Sequence, residues 1–146
     1  MPVLNIRPMA IADHERVLEL FRFLPEGSVR EADGFAGVCR YLARNPGLSF
    51  VAEADGGIVA CVLCGHDGRR GYLQHLVVAD DYRRRGIARR LVERCITELA
   101  ALGIHKTHID VFTDNRDAQA FWSRLGWQRR EELFRYSFIS SGNPDA

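Results

Sequence analysis

The sequence predicts an α/β fold, a mixed sheet with helices packed on it, over its 146 residues. Three observations carry this. Short apolar runs bounded by Gly, Pro, Asp and Asn recur along the chain and read as strands. Between them lie stretches with apolar residues three and four apart, which read as amphipathic helices. Their order is strand, two helices, three strands, helix, strand, helix, two strands.

Val3 to Arg7 alternates weakly and reads as the first strand, ended by Pro8. Ala12 to Leu24 places Val17, Leu18, Leu20, Phe21 and Leu24 near one helical face, with Asp13 as the expected N-cap. Pro25-Glu26-Gly27-Ser28 breaks that helix. Glu31 to Arg44 is helical again, with Phe35, Val38, Cys39 and Leu42 on its apolar side, and Asn45-Pro46-Gly47 stops it. Leu48–Ala54 and Ile58–Gly65 flank Asp55-Gly56-Gly57, a strong hairpin turn. Asp67 to Gly71 leads into a third strand, Tyr72–Ala79. A helix from Ile87 to Leu102 is followed by a capping Gly103. Lys106–Phe112 is the next strand and Asn115–Leu125 a short helix capped by Gly126. Trp127–Arg130 and Leu133–Ile139 read as a closing hairpin, and residues 140–146 as a loose polar tail. With no repeat and no linker, residues 1–146 are expected to form a single domain.

The chain is organised around Tyr72 to Leu102. A strand runs into the turn Asp80-Asp81-Tyr82-Arg83-Arg84-Arg85-Gly86-Ile87-Ala88, and a long helix follows, with Ile87, Leu91, Val92, Cys95, Ile96, Leu99 and Leu102 as its apolar face. A helix start has N–H groups without intrahelical partners and a partial positive charge, so it receives phosphate. Gly86 and the small Ala88 would let a pyrophosphate approach, and Arg83, Arg84 and Arg85 add guanidinium groups that bind phosphate in bidentate fashion. The plainer reading is a solvated helix start. No Gly-Lys-Ser/Thr follows and no earlier glycine sits at dinucleotide spacing, so neither nucleotide fingerprint applies.

Composition excludes several classes. A net charge of +1 gives no bulk field toward nucleic acid or membrane. The basic run from Arg83 to Arg90 lacks an aromatic platform. No apolar run reaches membrane-spanning length and no leader pattern is visible, so a cytoplasmic place is expected. The four cysteines, Cys39, Cys61, Cys64 and Cys95, lie among apolar neighbours and read as buried thiols. Cys61-x-x-Cys64 with His66 has half of a zinc spacing, but odd spacing in a strand sends the two thiols to opposite faces, so no metal is expected.

Arg83-x-x-Gly86-x-Ala88 resembles the acetyl-CoA signature Q/R-x-x-G-x-G/A of the GNAT N-acetyltransferases, with Ala88 where many members carry glycine. A second stretch, Asn115-x-x-Ala118-x-x-Phe121-Trp122-x-x-Leu125-Gly126-Trp127, is similar to the family's N-x-x-A-x-x-F/L-Y-x-x-L-G-F/Y. The order of elements matches from Val3 to Ile139. Within the family the chain resembles the YpeA-like and ribosomal-protein alanine acetyltransferases. The resemblance implies a mostly antiparallel central sheet with splayed middle strands, flanked by helices.

It also implies an acetyl-CoA-dependent N-acetyltransferase, in which a primary amine attacks the thioester directly in a ternary complex. The pyrophosphate would sit on the N–H groups of Arg85, Gly86, Ile87, Ala88 and Arg89, with Arg83 and Arg84 nearby. The pantetheine arm would run along Leu76, Val77 and Val78 as an added strand. An N–H near Leu76 or Val77 would polarise the thioester carbonyl. Asn115 is either a helix N-cap or a cofactor contact. Phe121 is assigned by the family motif to the cofactor side, although it, Leu125 and Trp127 also read as core.

The amine must be neutral to attack. At pH 7 this costs about 4.6 kcal/mol for a lysine-like amine and about 1 kcal/mol for an α-amine. Asp110, where the ribosomal-protein enzymes carry a glutamate, is the candidate base, against a plain reading as an exposed carboxylate. Tyr72 and Gln74 share a strand face and are placed along the acceptor. His75 falls on the opposite face by alternation and reads as a core histidine unless a bulge re-aims it. Trp122 stands where many members have an acid tyrosine, and an indole donates a hydrogen bond without being a practical acid. That departure supports the alternative, a non-catalytic acyl-CoA-binding module of the same fold. The resemblance places Glu26, Glu31 and Asp33 over the acceptor groove, where they would favour a cationic acceptor; the plainer reading is three solvated surface charges. The acceptor, a small molecule or a peptide N-terminus, is not named by the sequence, and monomer and homodimer both stay open.

Overall fold

The computed structural model describes residues 3–146; Met1 and Pro2, where the N-terminal leader reading begins, lie outside it. The described residues form two compact units, residues 3–109 and Asp110–Ala146.

The first unit is a mixed sheet with helices. Its strands are β1 (Asn5–Pro8), β2 (Phe50–Ala54), β3 (Gly57–His66), β4 (Gly71–Val78) and β5 (Thr107–Ile109). They lie side by side in chain order, antiparallel except for the parallel β4–β5 pair. Helices α1 (His14–Leu20), α2 (Phe35–Arg44) and α3 (Ile87–Ala101) complete the unit. β2 and β3 are buried almost throughout, and their side chains are apolar on both faces, as covered strands require. On one face Met9, Val17, Leu20 and Phe21 pack with Val51, Cys61, Leu63 and Val77. Elsewhere in the core Leu91, Cys95 and Leu99 of α3 are fully buried.

Local chemistry explains most boundaries. Ala54 pairs Gly57 across a two-residue turn, and Asp55 and Gly56 have φ of 52° and 79°, the doubly positive geometry that Asp-Gly supplies. β3 thus begins one residue earlier than expected. Asp13 does not cap α1. Its carboxylate turns back, accepts the Ala10 N–H, and receives a two-pronged bond from Arg7 at 2.8 Å on each prong. This fork holds the Asp13 carboxyl below its usual range. Both expected N-terminal helices are shorter than the periodicity suggests. Glu31–Asp33 is a 3-10 turn before α2, and Phe21–Phe23 is one after α1.

Two expectations about the strands fail. The strand foreseen at Lys106–Phe112 pairs only over Thr107–Ile109, beside Gly71–Leu73. Just beyond, β4 carries a bulge. Leu63 faces Gln74 and Cys61 faces Val77, so His75 and Leu76 together oppose Val62. A bulge bends its strand and ends regular pairing nearby. The closing hairpin is also absent. Residues 127–139 contain no strand, and Leu133, Phe134, Tyr136 and Phe138 are exposed. Alternation yields a strand only where a neighbouring backbone completes the ladder, and the second unit holds none. That unit has one helix, α4 (Arg116–Arg124).

The thiols divide by position. Cys61 belongs to the α1-side cluster, whereas Cys64 interacts with Cys95 of α3. Cys39, expected to be buried, is exposed. No cluster suited to a metal occurs among the described residues.

Candidate functional site

The first unit brings three features together in one continuous stretch. The first is an open half-strand. β4 pairs with β5 only through Leu73, so from Gln74 to Val78 its ladder is with β3 alone. Leu76 is half-buried, and Val77 and Val78 are buried.

The second feature is the arginine turn. Asp80–Tyr82 forms a 3-10 turn, and Arg84 and Gly86 then take positive φ, 63° and 77°. Gly86 is required by that conformation. Nothing lies within 4 Å of where a Cβ would stand, so crowding is not the reason. The arginines differ in their ties. Arg83 donates to the Val78 carbonyl and pairs with Asp80. Arg85 lies over the Tyr82 ring and donates to the Asp81 carbonyl. Arg89 pairs with Glu93 one turn on. Arg84 is exposed and has no ion pair among the described residues. The Tyr82 hydroxyl donates to Asp55, which ties this turn to the β2–β3 hairpin.

The third feature is the start of α3. The first intrahelical bond runs from the Arg90 N–H to the Gly86 carbonyl. The N–H groups of Ile87, Ala88 and Arg89 therefore have no helical acceptor. The buried Ile87 side chain and the fifteen-residue helix behind it fix their direction. No acidic side chain occupies this first turn. The arrangement can hold a polyanion at the helix start and extended backbone along the open half of β4.

Next to it lies a pair that alternation does not reveal. His75 has φ of 49° inside the bulge, and its Nε2 is 2.9 Å from Asp33 Oδ1. Asp33 is buried, not the solvated charge expected of it. Burial alone would raise its carboxyl, but the bonds from His75 and from the Arg30 N–H outweigh that and hold it below the usual range. The Asp33 carbonyl also bonds His14 Nε2 at 2.9 Å. The Phe21 ring packs on the imidazole at 4.8 Å between centroids.

The remaining predicted residues are placed as follows. Gln74 is exposed, and Tyr72 is half-buried against the His108 ring. In the second unit Asp110 is exposed and paired with Arg135 at 3.0 Å. Asn115 caps α4, its Oδ1 accepting the Ala118 N–H. Trp122 is buried, its ring against Phe121 and Trp127 at 5.1 and 4.5 Å.

The sequence profile of the acetyltransferase (GNAT) family matches residues 14–127. The chain belongs to the GNAT family. An acetyltransferase of Pectobacterium atrosepticum is 39% identical over 89 residues, 61% of this chain and 63% of that protein. The match thus spans less than two thirds of that relative. An uncharacterized N-acetyltransferase of Yersinia pestis is 37% identical over 94 residues, 64% of this chain and 67% of its own. Among solved structures, the PaiA N-acetyltransferase of Thermoplasma acidophilum with coenzyme A matches at a TM-score of 0.74 and 17% identity, covering 84% of this chain and 88% of that one. The aminoglycoside N-acetyltransferase AAC(6')-Iy with CoA matches at 0.71 and 20%, covering 94% and 96%. At these identities the likeness is one of fold. This GNAT chain has no helix among its described residues long and apolar enough to cross a membrane.

Sequence reasoning missed the partnership of His75 with Asp33. The two are 42 positions apart, and no local pattern joins them. The faint signal was a polar His75 beside the apolar run Leu76-Val77-Val78, where a bulge re-aims a side chain.

Proposed function

We propose that this GNAT chain moves an acetyl group from acetyl-CoA to a primary amine, by direct attack in a ternary complex. One observation carries the reading: the half of β4 without a β5 partner leads, across the eight residues 79–86, to the unpaired N–H groups at the start of α3.

The residues present fit CoA. Ile87, Ala88 and Arg89 offer backbone donors to the pyrophosphate, Gly86 leaves open space, and Arg84 has no competing ion pair. Arg83 and Arg85, braced within the turn, add fixed positive charge. Leu76, Val77 and Val78 offer strand backbone to the pantetheine amides. An outward N–H at Leu76 or Val77 would stabilise the negative charge that develops on the thioester oxygen. When bound, acetyl-CoA supplies the activated acyl group. Tyr72 and Gln74 are assigned to the acceptor side, with a small amine or a peptide N-terminus as acceptor.

A second reading, an acyl-CoA-binding module without turnover, is favoured by Trp122. Its indole is buried between two aromatic rings and gives no acid for a departing thiolate. A thiol of pKa about 8.5 leaves tolerably without help, and general acid assistance is worth about 10²–10⁴-fold. The first reading therefore predicts slow turnover, not silence.

The test is thiol release from acetyl-CoA against glycyl and alanyl peptides, spermidine and an aminoglycoside, with CoA binding measured separately. Acceptor-dependent release supports the transferase. Binding without release across the panel supports the module.

A further inference from the structure

We propose that His75, held by Asp33, is the catalytic base that takes the proton from the incoming amine. The proposal rests on the transferase reading and names a residue for it.

The geometry of the pair carries the argument. A non-glycine residue with positive φ in a strand is uncommon and costs free energy, and such strain gathers at functional sites. His75 is in that state, and the bulge places its side chain toward the segment after α1. Its Nε2 faces a carboxylate oxygen. A carboxylate only accepts, so Nε2 carries the proton and Nδ1 carries the lone pair. Asp33 is itself fixed by the Arg30 N–H on its other oxygen. Nδ1 makes no hydrogen bond among the described residues, nor is it one of the buried atoms left without a partner, so it reaches solvent. The imidazole belongs to the residue that begins the open half of β4 together with Gln74. The titratable groups facing it are Asp33 from the 3-10 turn before α2, His14 of α1 through the Asp33 carbonyl, and Cys61 of β3, whose thiol lies 3.7 Å from the His75 carbonyl. Burial pushes the Cys61 thiol up, so it stays neutral.

The step balances. An ammonium acceptor gives one proton to Nδ1, and its freed lone pair forms the C–N bond to the acetyl carbon. The C–S bond breaks with its electron pair on sulfur. The second amine proton neutralises the thiolate, leaving an amide and a free thiol, and the imidazolium releases its proton to water. Asp33 acts through His75 and is a positioning residue that fixes the tautomer and orientation of the ring.

The test uses the full chain and two readouts. The first is kcat/KM against pH with the panel amine that gives the fastest release, for the wild type, His75→Asn and Asp33→Asn. Asparagine tolerates the positive φ, so His75→Asn removes the base with little backbone cost. The expected result is a 10²- to 10³-fold fall in kcat at pH 7, with CoA affinity by calorimetry within twofold. The acid limb should be replaced by one at the amine's own pKa. Asp33→Asn should lower kcat by a smaller factor with KM little changed, because the ring loses the carboxylate that holds its orientation and tautomer. Folded His75→Asn with kcat within threefold and an unmoved limb would overturn the proposal. The second readout is NMR titration of the His75 ring in the wild type and Asp33→Asn, which needs neither turnover nor a folded His75 variant. A ring that titrates between pH 5 and 9 and loses its Nε2-protonated tautomer in Asp33→Asn supports the base; a ring that does not titrate in that window overturns it. A wild type that releases no thiol with any panel amine counts against the transferase reading, and the titration still decides the pair.

Discussion

The two halves of β4 have the same strand chemistry and opposite fates. Gly71, Tyr72 and Leu73 are held by β3 on one side and β5 on the other. Gln74 to Val78 keep β3 but lose β5. The change falls at the His75–Leu76 bulge, where one extra residue bends the strand. The closed half is crowded and serves the fold. The open half has backbone to give and leads into the arginine turn and the unpaired N–H groups at the start of α3. A strained residue at the boundary converts one into the other.

The largest effect is expected in the closed half. A Cβ at Gly71 would lie 2.7 Å from both Leu99 Cδ1 and Thr107 Oγ1. Gly71→Val should destabilise the chain by about 3 kcal/mol, at the upper end of overpacking costs, while CoA affinity of the folded fraction stays unchanged. Denaturant unfolding with calorimetry checks both halves of that statement. Next comes the open half. Arg84→Glu with Arg85→Glu should weaken CoA binding about 50-fold with little change in melting temperature, and the loss should shrink in high salt. An unaltered dissociation constant would remove the turn from the site. Gly86→Ala places a Cβ at φ 77° and should cost about 1–2 kcal/mol of stability as well as affinity.

Acid should separate the halves further. The Asp33 carboxyl is held below its unfolded value, so its stabilising contribution is fully present above about pH 4 and is lost as pH falls through the lower folded value. Amide protection around His75 should fade in that window before protection at Gly71–Leu73 does. Simultaneous loss across β4 would show that the pair does not brace the boundary.

How much of this was legible in the sequence follows from the range of the forces involved. The Asp55-Gly56 turn, α3 and the Asn115 cap are set by residues within four positions of each other, and each was readable. So was the mixed sheet with the order of its elements as far as α4, but not the two closing strands, which are absent. At Gly86 the structure adds a positive φ of 77°, which the sequence reading, made for close phosphate approach, did not contain. The bulge depends on how β3 and β4 settle their register, and the burial of Asp33 on a histidine 42 positions away. The fork from Arg7 that drew Asp13 away from α1 is equally nonlocal in effect. The alternation at Leu133–Ile139 marks a segment that is able to pair, and only a partner edge turns that into a strand.

The smallest effect is expected at Asp110. It is exposed and tied to Arg135, and such surface pairs contribute about 0–1 kcal/mol. Asp110→Asn should change stability by less than about 0.5 kcal/mol and leave turnover within threefold. A larger kinetic loss there than in His75→Asn would move the base from the bulge to the end of β5.

The most direct measurement is amide hydrogen exchange with and without acetyl-CoA. New protection is expected at the outward amides of residues 74–78 and at Ile87, Ala88 and Arg89, with Gly71–Leu73 protected equally in both states. Protection that appears elsewhere, or not at all while acetyl-CoA is bound, would contradict the assignment of the open half of β4 and the start of α3 to the acyl-CoA site.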